Sequence, residues 1–335
     1  MIPIGAVSST ASRLLLPVLL ILLLSGCIAE FVPEGPVVDP PEETSHAFIM
    51  PDGTELHYRV WAPDGRPWAI ILALHGMNDS RDAWEFPASA FTDAGVEIIS
   101  PDQRGFGATR QRGFWPGTKT LVDDAGEMFR LVHEAHPGVP VFAMGESMGG
   151  AVLMCLATDP NPPKVAGYIL VSPAVWGRSE MNIFERVGLW FGVRVFPAMT
   201  FTGAIAHVTA SDNRAAIHRL STDPLTIHHT RMDAVAGLVN LMSDALAAAP
   251  RFDAHALFLY GGKDELIPKR AMRAAWDHLS PGETIAYYPG DYHLMLRDLQ
   301  RNVPIDDILA WMRNPNAPLP SGAEKAAETW IEKGA

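Results

Sequence analysis

Residues 145–150 read Gly-Glu-Ser-Met-Gly-Gly, so one serine sits between small residues where the apolar run Val139–Gly145 ends and a second apolar run begins. This predicts a tight strand-to-helix turn: glycines give the backbone room, and the Ser147 hydroxyl stands exposed at the positive end of the next helix dipole. A serine hydroxyl is a weak nucleophile near neutral pH, so acyl transfer at this position needs a base within hydrogen-bond reach and an acid to orient it. The chain order for such a turn is serine, acid, histidine. Asp264 in LFLYGGKDELIP follows one apolar run, and His293 in YYPGDYHLML follows the next, both where loops leave strand ends. Glu265 is the nearest rival acid, and Asp264 could instead be a turn residue or cap before Pro268; Asp291 reads as a shaper of the turn ahead of His293. The oxyanion formed on attack needs two preorganised donors, expected from the amides of Met148 and of Met77 in LALHGMNDS, where His75 reads as loop-shaping. This chemistry requires no metal and no organic cofactor, and His228-His229 reads as a polar face rather than a metal site.

These residues must be held by a frame, and the chain alternates. Two short strands are expected around Asp52-Gly53, followed by apolar β-rich runs at Ala69–Gly76, Val96–Asp102, Val139–Gly145, Val165–Pro173, Ala256–Gly262 and Thr284–Gly290. Helical segments are expected near Asp82–Asp93, Thr118–His136, Met148–Thr158, Pro268–Leu279 and Ile305–Arg313. Such alternation predicts an α/β fold with a mostly parallel sheet flanked by helices, ligands binding at the carboxyl ends of the strands. The core is expected to span 46–173 and 252–335, its tail from Asn314 forming a surface segment with a short helix. Residues 174–251 show helical and aromatic character without a clear strand and read as an inserted helical cap. Within it Phe184, Val187 and Phe191 share one helical face, whose default reading is packing. The sharper reading is that Trp176, Phe184, Trp190 and Phe191 line an acyl-chain channel or dip into lipid.

The set LHGMNDS, PDQRGFGATR, MGESMGGAV, GGKDELIP and GDYHLML resembles the α/β-hydrolases of the monoacylglycerol lipase and lysophospholipase group, also classed as serine aminopeptidase-like. The resemblance covers about His46 to Arg313 and implies the α/β-hydrolase fold, nucleophile Ser147, acid Asp264, base His293 and oxyanion amides Met77 and Met148. Residues 102–105 match a loop that buttresses the site. The departure is Glu146, where many monoacylglycerol lipases carry histidine. The expected activity is hydrolysis of an acyl ester of lipid type; a thioesterase, aminopeptidase or acyltransferase could use the same triad, and a non-catalytic acyl-binding lipoprotein is the alternative outside catalysis.

The N-terminus carries an address. The uncharged run Leu14–Gly26 has the length of a signal-peptide core rather than of the ~20 residues that span a bilayer. It ends in Leu24-Ser25-Gly26-Cys27, which resembles the bacterial lipobox; the expectation is a signal peptide over 1–26, a lipidated Cys27 and placement on a membrane of the bacterial envelope, outside the cytoplasm. An uncleaved anchor is the alternative. Residues 27–45, proline-rich and acidic, read as an extended tether able to hold the body up to roughly 50 Å from the bilayer. A net charge of −12 with no basic block sets nucleic acid aside. Cys155, in an apolar stretch, reads as a small buried hydrophobe.

Overall fold

The computed structural model describes residues 29–202, 208–280 and 282–334. The leader and Cys27 lie outside the described residues. The strands are β1 (Glu42–Glu43), β2 (Ala47–Ile49), β3 (Glu55–Trp61), β4 (Ala69–Leu74), β5 (Val96–Pro101), β6 (Val141–Glu146), β7 (Gly167–Val171), β8 (Thr200–Phe201), β9 (Thr230–Arg231), β10 (Ala256–Gly261) and β11 (Thr284–Tyr288). Nine of them form one sheet in the order β1-β2-β3-β5-β4-β6-β7-β10-β11. Pairings from β5 through β4, β6, β7 and β10 to β11 are parallel, while β1, β2 and β3 add an antiparallel edge. Every residue of β4, β6 and β10 is buried, as continuous apolar runs covered on both faces require.

The helices are α1 (Glu85–Asp93), α2 (Thr118–Ala135), α3 (Met148–Ala157), α4 (Ile183–Val195), α5 (Arg214–Thr222), α6 (Met232–Ala248), α7 (Lys269–Trp276), α8 (Asn302–Arg313) and α9 (Ala323–Glu332). One core packs α2, α3, α6 and α7 on one face of the sheet, and the other packs α1 and α8 on the opposite face. The fold is the α/β-hydrolase arrangement the resemblance implied. The Cys155 thiol is pushed up to about 12 by burial, which leaves it inert.

Three expectations change. Helix α6, assigned by its sequence to the cap, buries Val239, Leu241, Met242 and Ala245 in the main core, so the insert proper ends near Arg231. Its main packing partner is α3. The insert also contains an antiparallel pair, β8 with β9, too short to leave a periodic signal. The tail is not a surface segment: Trp330 on α9 stacks on Tyr287 at 5.0 Å and meets Trp276 edge-on at 5.3 Å, closing the β11 end of the sheet.

The proline-rich segment is extended, as its composition dictates, but it does not stand free. Glu30 N–H donates to Asp233 Oδ2 (3.2 Å), Val32 N–H to the Trp115 carbonyl (2.9 Å), Gly35 N–H to Asp52 Oδ2 (2.8 Å) and Val38 N–H to the Pro51 carbonyl (2.8 Å). Prolines hold the backbone open, and the amides between them find acceptors on the body. Removing residues up to Thr44 strips these bonds and β1, and is expected to lower Tm by roughly 5 °C against a chain beginning at Ala29. Equal melting curves would show that the segment adds nothing.

Candidate active site

Ser147 stands between β6 and α3 with φ +53°, a positive-φ conformation that a side chain tolerates only when its surroundings enforce it. The enforcement is visible. Ser147 N–H donates to the Val171 carbonyl (2.9 Å), and the Ser147 carbonyl accepts from Ala151 (3.1 Å) and Ala174 (2.9 Å). A Cβ at Gly149 would lie 2.2 Å from the Leu74 carbonyl oxygen, and one at Gly145 would lie 2.5 Å from the Gly149 backbone. Only glycine lets α3 start so close to β4.

Asp264 follows β10 and His293 follows β11, and the two are joined: His293 Nδ1–H donates to Asp264 Oδ2 at 2.7 Å, both side chains buried. The other carboxylate oxygen, Oδ1, accepts from the Leu266 and Ile267 amides at 2.8 and 2.9 Å, which fixes the acid's plane. Burial would lower the His293 pKa, but Asp264, through charge and hydrogen bond, outweighs it and holds the imidazole above its usual value. Glu265, the rival acid, turns away and accepts from Thr209 N–H at 2.6 Å. No hydrogen bond joins Ser147 Oγ to His293 among the described residues.

The loop after β4 lies against Ser147, with a Cβ at Gly76 falling 3.4 Å from Ser147 Cβ. Among the described residues no backbone acceptor takes the amide hydrogen of Met77 or Met148. Such free donors are what an oxyanion site requires. His75 anchors this loop: Gln103 N–H donates to His75 Nε2 (3.0 Å), so the ring proton is on Nδ1 and donates to the Gly76 carbonyl (2.8 Å). Gln103 Nε2 closes the link on the His75 carbonyl at 2.7 Å, and burial pushes the His75 pKa down, keeping the ring neutral. The loop at 102–105 therefore buttresses the site through Gln103.

Sequence reasoning missed three buried charged groups around the triad. Arg297 Nη2 donates to Asp79 Oδ2 (2.6 Å) and to Glu146 Oε2 (2.7 Å), joining residues 218 and 151 positions apart. Glu146 was noticed only as a departure, and Asp79 and Arg297 carry no local signal. The loop acid Asp291 buries Oδ2 without a partner, and burial together with Asp298 and Asp212 pushes its pKa up to about 7. A carboxyl raised in the folded state contributes stability that is present below its unfolded pKa and lost as pH rises through the folded one. Asp291→Asn is therefore expected to raise Tm by a few degrees at pH ~8 and to leave it unchanged near pH ~4. Melting scans at the two pH values check this.

The cap residues separate. Trp176 packs against the core, half-buried, under the Arg270 guanidinium at 5.9 Å. Phe184, Trp190 and Phe191 lie on α4 at 85%, 56% and 52% exposure, so the face expected to pack points outward. The packed side is the narrow one holding Leu189 and Gly192, where the Met232 side chain fills the space beside the glycine, its Cε 2.8 Å from where a Cβ would stand. The insert reaches the site elsewhere: Asn78 Nδ2 donates to Thr230 Oγ1 (2.6 Å), Leu294 N–H to the Ala210 carbonyl (2.9 Å) and Asn213 Nδ2 to the Arg297 carbonyl (2.8 Å). No cluster of three or more metal-ligating side chains occurs among the described residues.

The chain is 24% identical over 274 residues to the monoacylglycerol lipase of Mycolicibacterium smegmatis, covering 80% of this chain and 96% of that protein. It is 26% identical over 285 residues to the human monoglyceride lipase, covering 83% and 93%. Among solved structures, the Paleococcus ferrophilus monoacylglycerol lipase superposes with a TM-score of 0.64 at 20% identity, covering 77% of this chain and 98% of that one, which supports the fold. The family model described as "Serine aminopeptidase, S33" matches residues 65–300, most of the chain and the span that holds Ser147, Asp264 and His293, and the protein belongs to that family of α/β-hydrolases.

Proposed function

We propose that the chain is a serine hydrolase of carboxylic esters, acting on monoacylglycerols, lysophospholipids or similar acyl esters and held at a bacterial envelope membrane by a lipidated Cys27. The reading rests above all on the buried Asp264–His293 pair, placed at the strand ends beside the Ser147 turn. His293 Nε2 takes the Ser147 proton as Oγ bonds to the ester carbonyl carbon, and the oxyanion settles on the Met77 and Met148 amides. The imidazolium returns that proton to the leaving alcohol, giving an acyl-enzyme; water then repeats the sequence and releases the acid. The nucleophile–base hydrogen bond forms with substrate in place, since such bonds are often loose in the free enzyme.

The lipid class is favoured by the monoacylglycerol and monoglyceride lipases among the relatives and by the apolar surface of α4, where Ile183, Phe184, Val187 and Trp190 stand in solvent. His293 works as a base only when neutral, and its pKa is raised, so kcat/KM is expected to climb with pH through a midpoint above 6.5. A pH profile on acyl glycerols from short to long chain tests the proposal. Turnover rising with chain length on such an acid limb supports it; folded protein that cleaves no ester at any pH sinks it.

A further inference from the structure

The Ser147 turn, the oxyanion loop and the histidine loop come from three distant parts of the chain, and a single guanidinium touches all three. Arg297 lies four residues after His293; its Nη2 bonds Asp79 in the loop carrying Met77 and Glu146 directly before Ser147. All three side chains are at least nine-tenths buried. Formally the cluster holds two carboxylates and one cation; burial raises the Glu146 pKa against the pull of Arg297, and Glu146 Oε1 has no partner among the described residues. A buried excess of negative charge is costly unless something positive comes to meet it. The neighbour that becomes positive is His293, whose imidazole feels Glu146 as a stabilising charge.

We propose that Arg297 and Glu146 are positioning residues for the reaction: Arg297 clasps the three loops together and holds the Glu146 carboxylate where it supports the imidazolium formed during acyl transfer. This rests on the serine-hydrolase reading and adds a second acid to it. Asp264 holds His293 through Nδ1 from the β10 loop; the charges of Glu146 at the end of β6 and Arg297 in the turn after His293 both act on the imidazole, and Asp79 bonds the same guanidinium. Asp291 lies two residues before His293, and Asp298 Oδ2 accepts from Tyr292 N–H at 2.8 Å. The charge is favourable in the transition state and unbalanced in the resting enzyme, which is the difference that accelerates a chemical step.

The test is the pH dependence of kcat/KM, and of kcat and KM separately, on a short-chain ester. Glu146→Gln keeps the shape and the acceptor for Arg297 while removing the charge; the acid limb is expected to move to lower pH, with kcat at its plateau falling about tenfold and KM nearly unchanged. Arg297→Met removes the opposing charge and the clasp, so its limb moves to higher pH and kcat falls about 100-fold, while Arg297→Lys recovers part of both. Asp291→Asn, run in parallel, identifies any titration belonging to that acid. Opposite shifts in folded Glu146→Gln and Arg297→Met protein carry the inference; if Arg297→Met does not fold, the downward shift in Glu146→Gln with Arg297→Lys at the wild-type limb carries it. An unmoved limb in active, folded Glu146→Gln enzyme overturns it, and a merely structural role gives that result with a lowered Tm. A wild-type chain that neither turns over ester nor reacts with a fluorophosphonate overturns the serine-hydrolase reading and this inference together.

Discussion

Ser147→Ala is expected to abolish fluorophosphonate labelling and to lower kcat by roughly 10⁴–10⁶-fold, with Tm unchanged or slightly changed. The size follows from the geometry. In the proposed reaction Ser147 Oγ bonds to the acyl carbon, and the turn presenting it is built from backbone contacts that alanine retains: the Val171, Ala151 and Ala174 hydrogen bonds all use main-chain groups. Alanine also removes no hydrogen bond, because the hydroxyl has no protein partner among the described residues. Residual turnover would come from the free Met77 and Met148 amides and from binding. Active-site labelling followed by single-turnover kinetics checks the prediction, and a variant that keeps labelling would move the nucleophile to another residue.

Arg104→Met is expected to destabilise the fold by about 3–5 kcal/mol, the cost of leaving buried carboxylates without their cation. Arg104 uses all of its donors. Nε and Nη2 grip Asp124 at 2.7 and 2.8 Å, Nη1 and Nη2 bond Asp52 at 2.6 and 3.2 Å, and Nη1 also reaches Thr54 Oγ1 at 2.8 Å. Burial alone would raise the Asp52 carboxyl; Arg104 and the Gly35 and Thr54 amides overcome it and hold it well below the ordinary range. Asp124, deeper, is pushed up to about 6 by burial despite the same guanidinium. The cluster joins the β2–β3 turn, the loop after β5 and helix α2, so its loss loosens the loop whose Gln103 anchors His75. Denaturant unfolding measures the change; Arg104→Lys is expected to lose much of the same stability, since three donors on one nitrogen cannot reproduce the planar fork. A loss below ~1 kcal/mol in Arg104→Met would show that water replaces the guanidinium.

Much of this was legible in the chain because its signals are local. A serine between glycines after one apolar run and before another specifies a strand, a sharp turn and a helix within a dozen residues, and all three are present. The acid and the histidine stand just past successive apolar runs, and parallel strands that are neighbours in the sheet bring such loop positions together at one end. The face of α4 was harder to read: Phe184, Val187 and Phe191 form the more apolar stripe, yet the packed side is the one where Gly192 permits close approach to Met232. Apolar spacing reports that a helix has a greasy side, while contact depends on which side the neighbour can reach. The tail and the proline-rich segment were misjudged for a related reason, since neither builds a core alone and both adhere to surfaces supplied by distant residues, Tyr287 for Trp330 and Trp115 for Val32.

The amino-acid sequence by itself therefore determined the α/β architecture and singled out Ser147, Asp264 and His293 at the ends of successive strands, because period, turn chemistry and strand-end position are properties of short windows. The tertiary structure alone decided that Arg297 meets Glu146 and Asp79, that Glu265 faces the insert instead of His293, and that α6 belongs to the core. Those are pairings across 56 to 218 positions. A charged side chain looks the same in a sequence whether it ends in solvent or in a buried clasp, and only the folding of the sheet chooses between them.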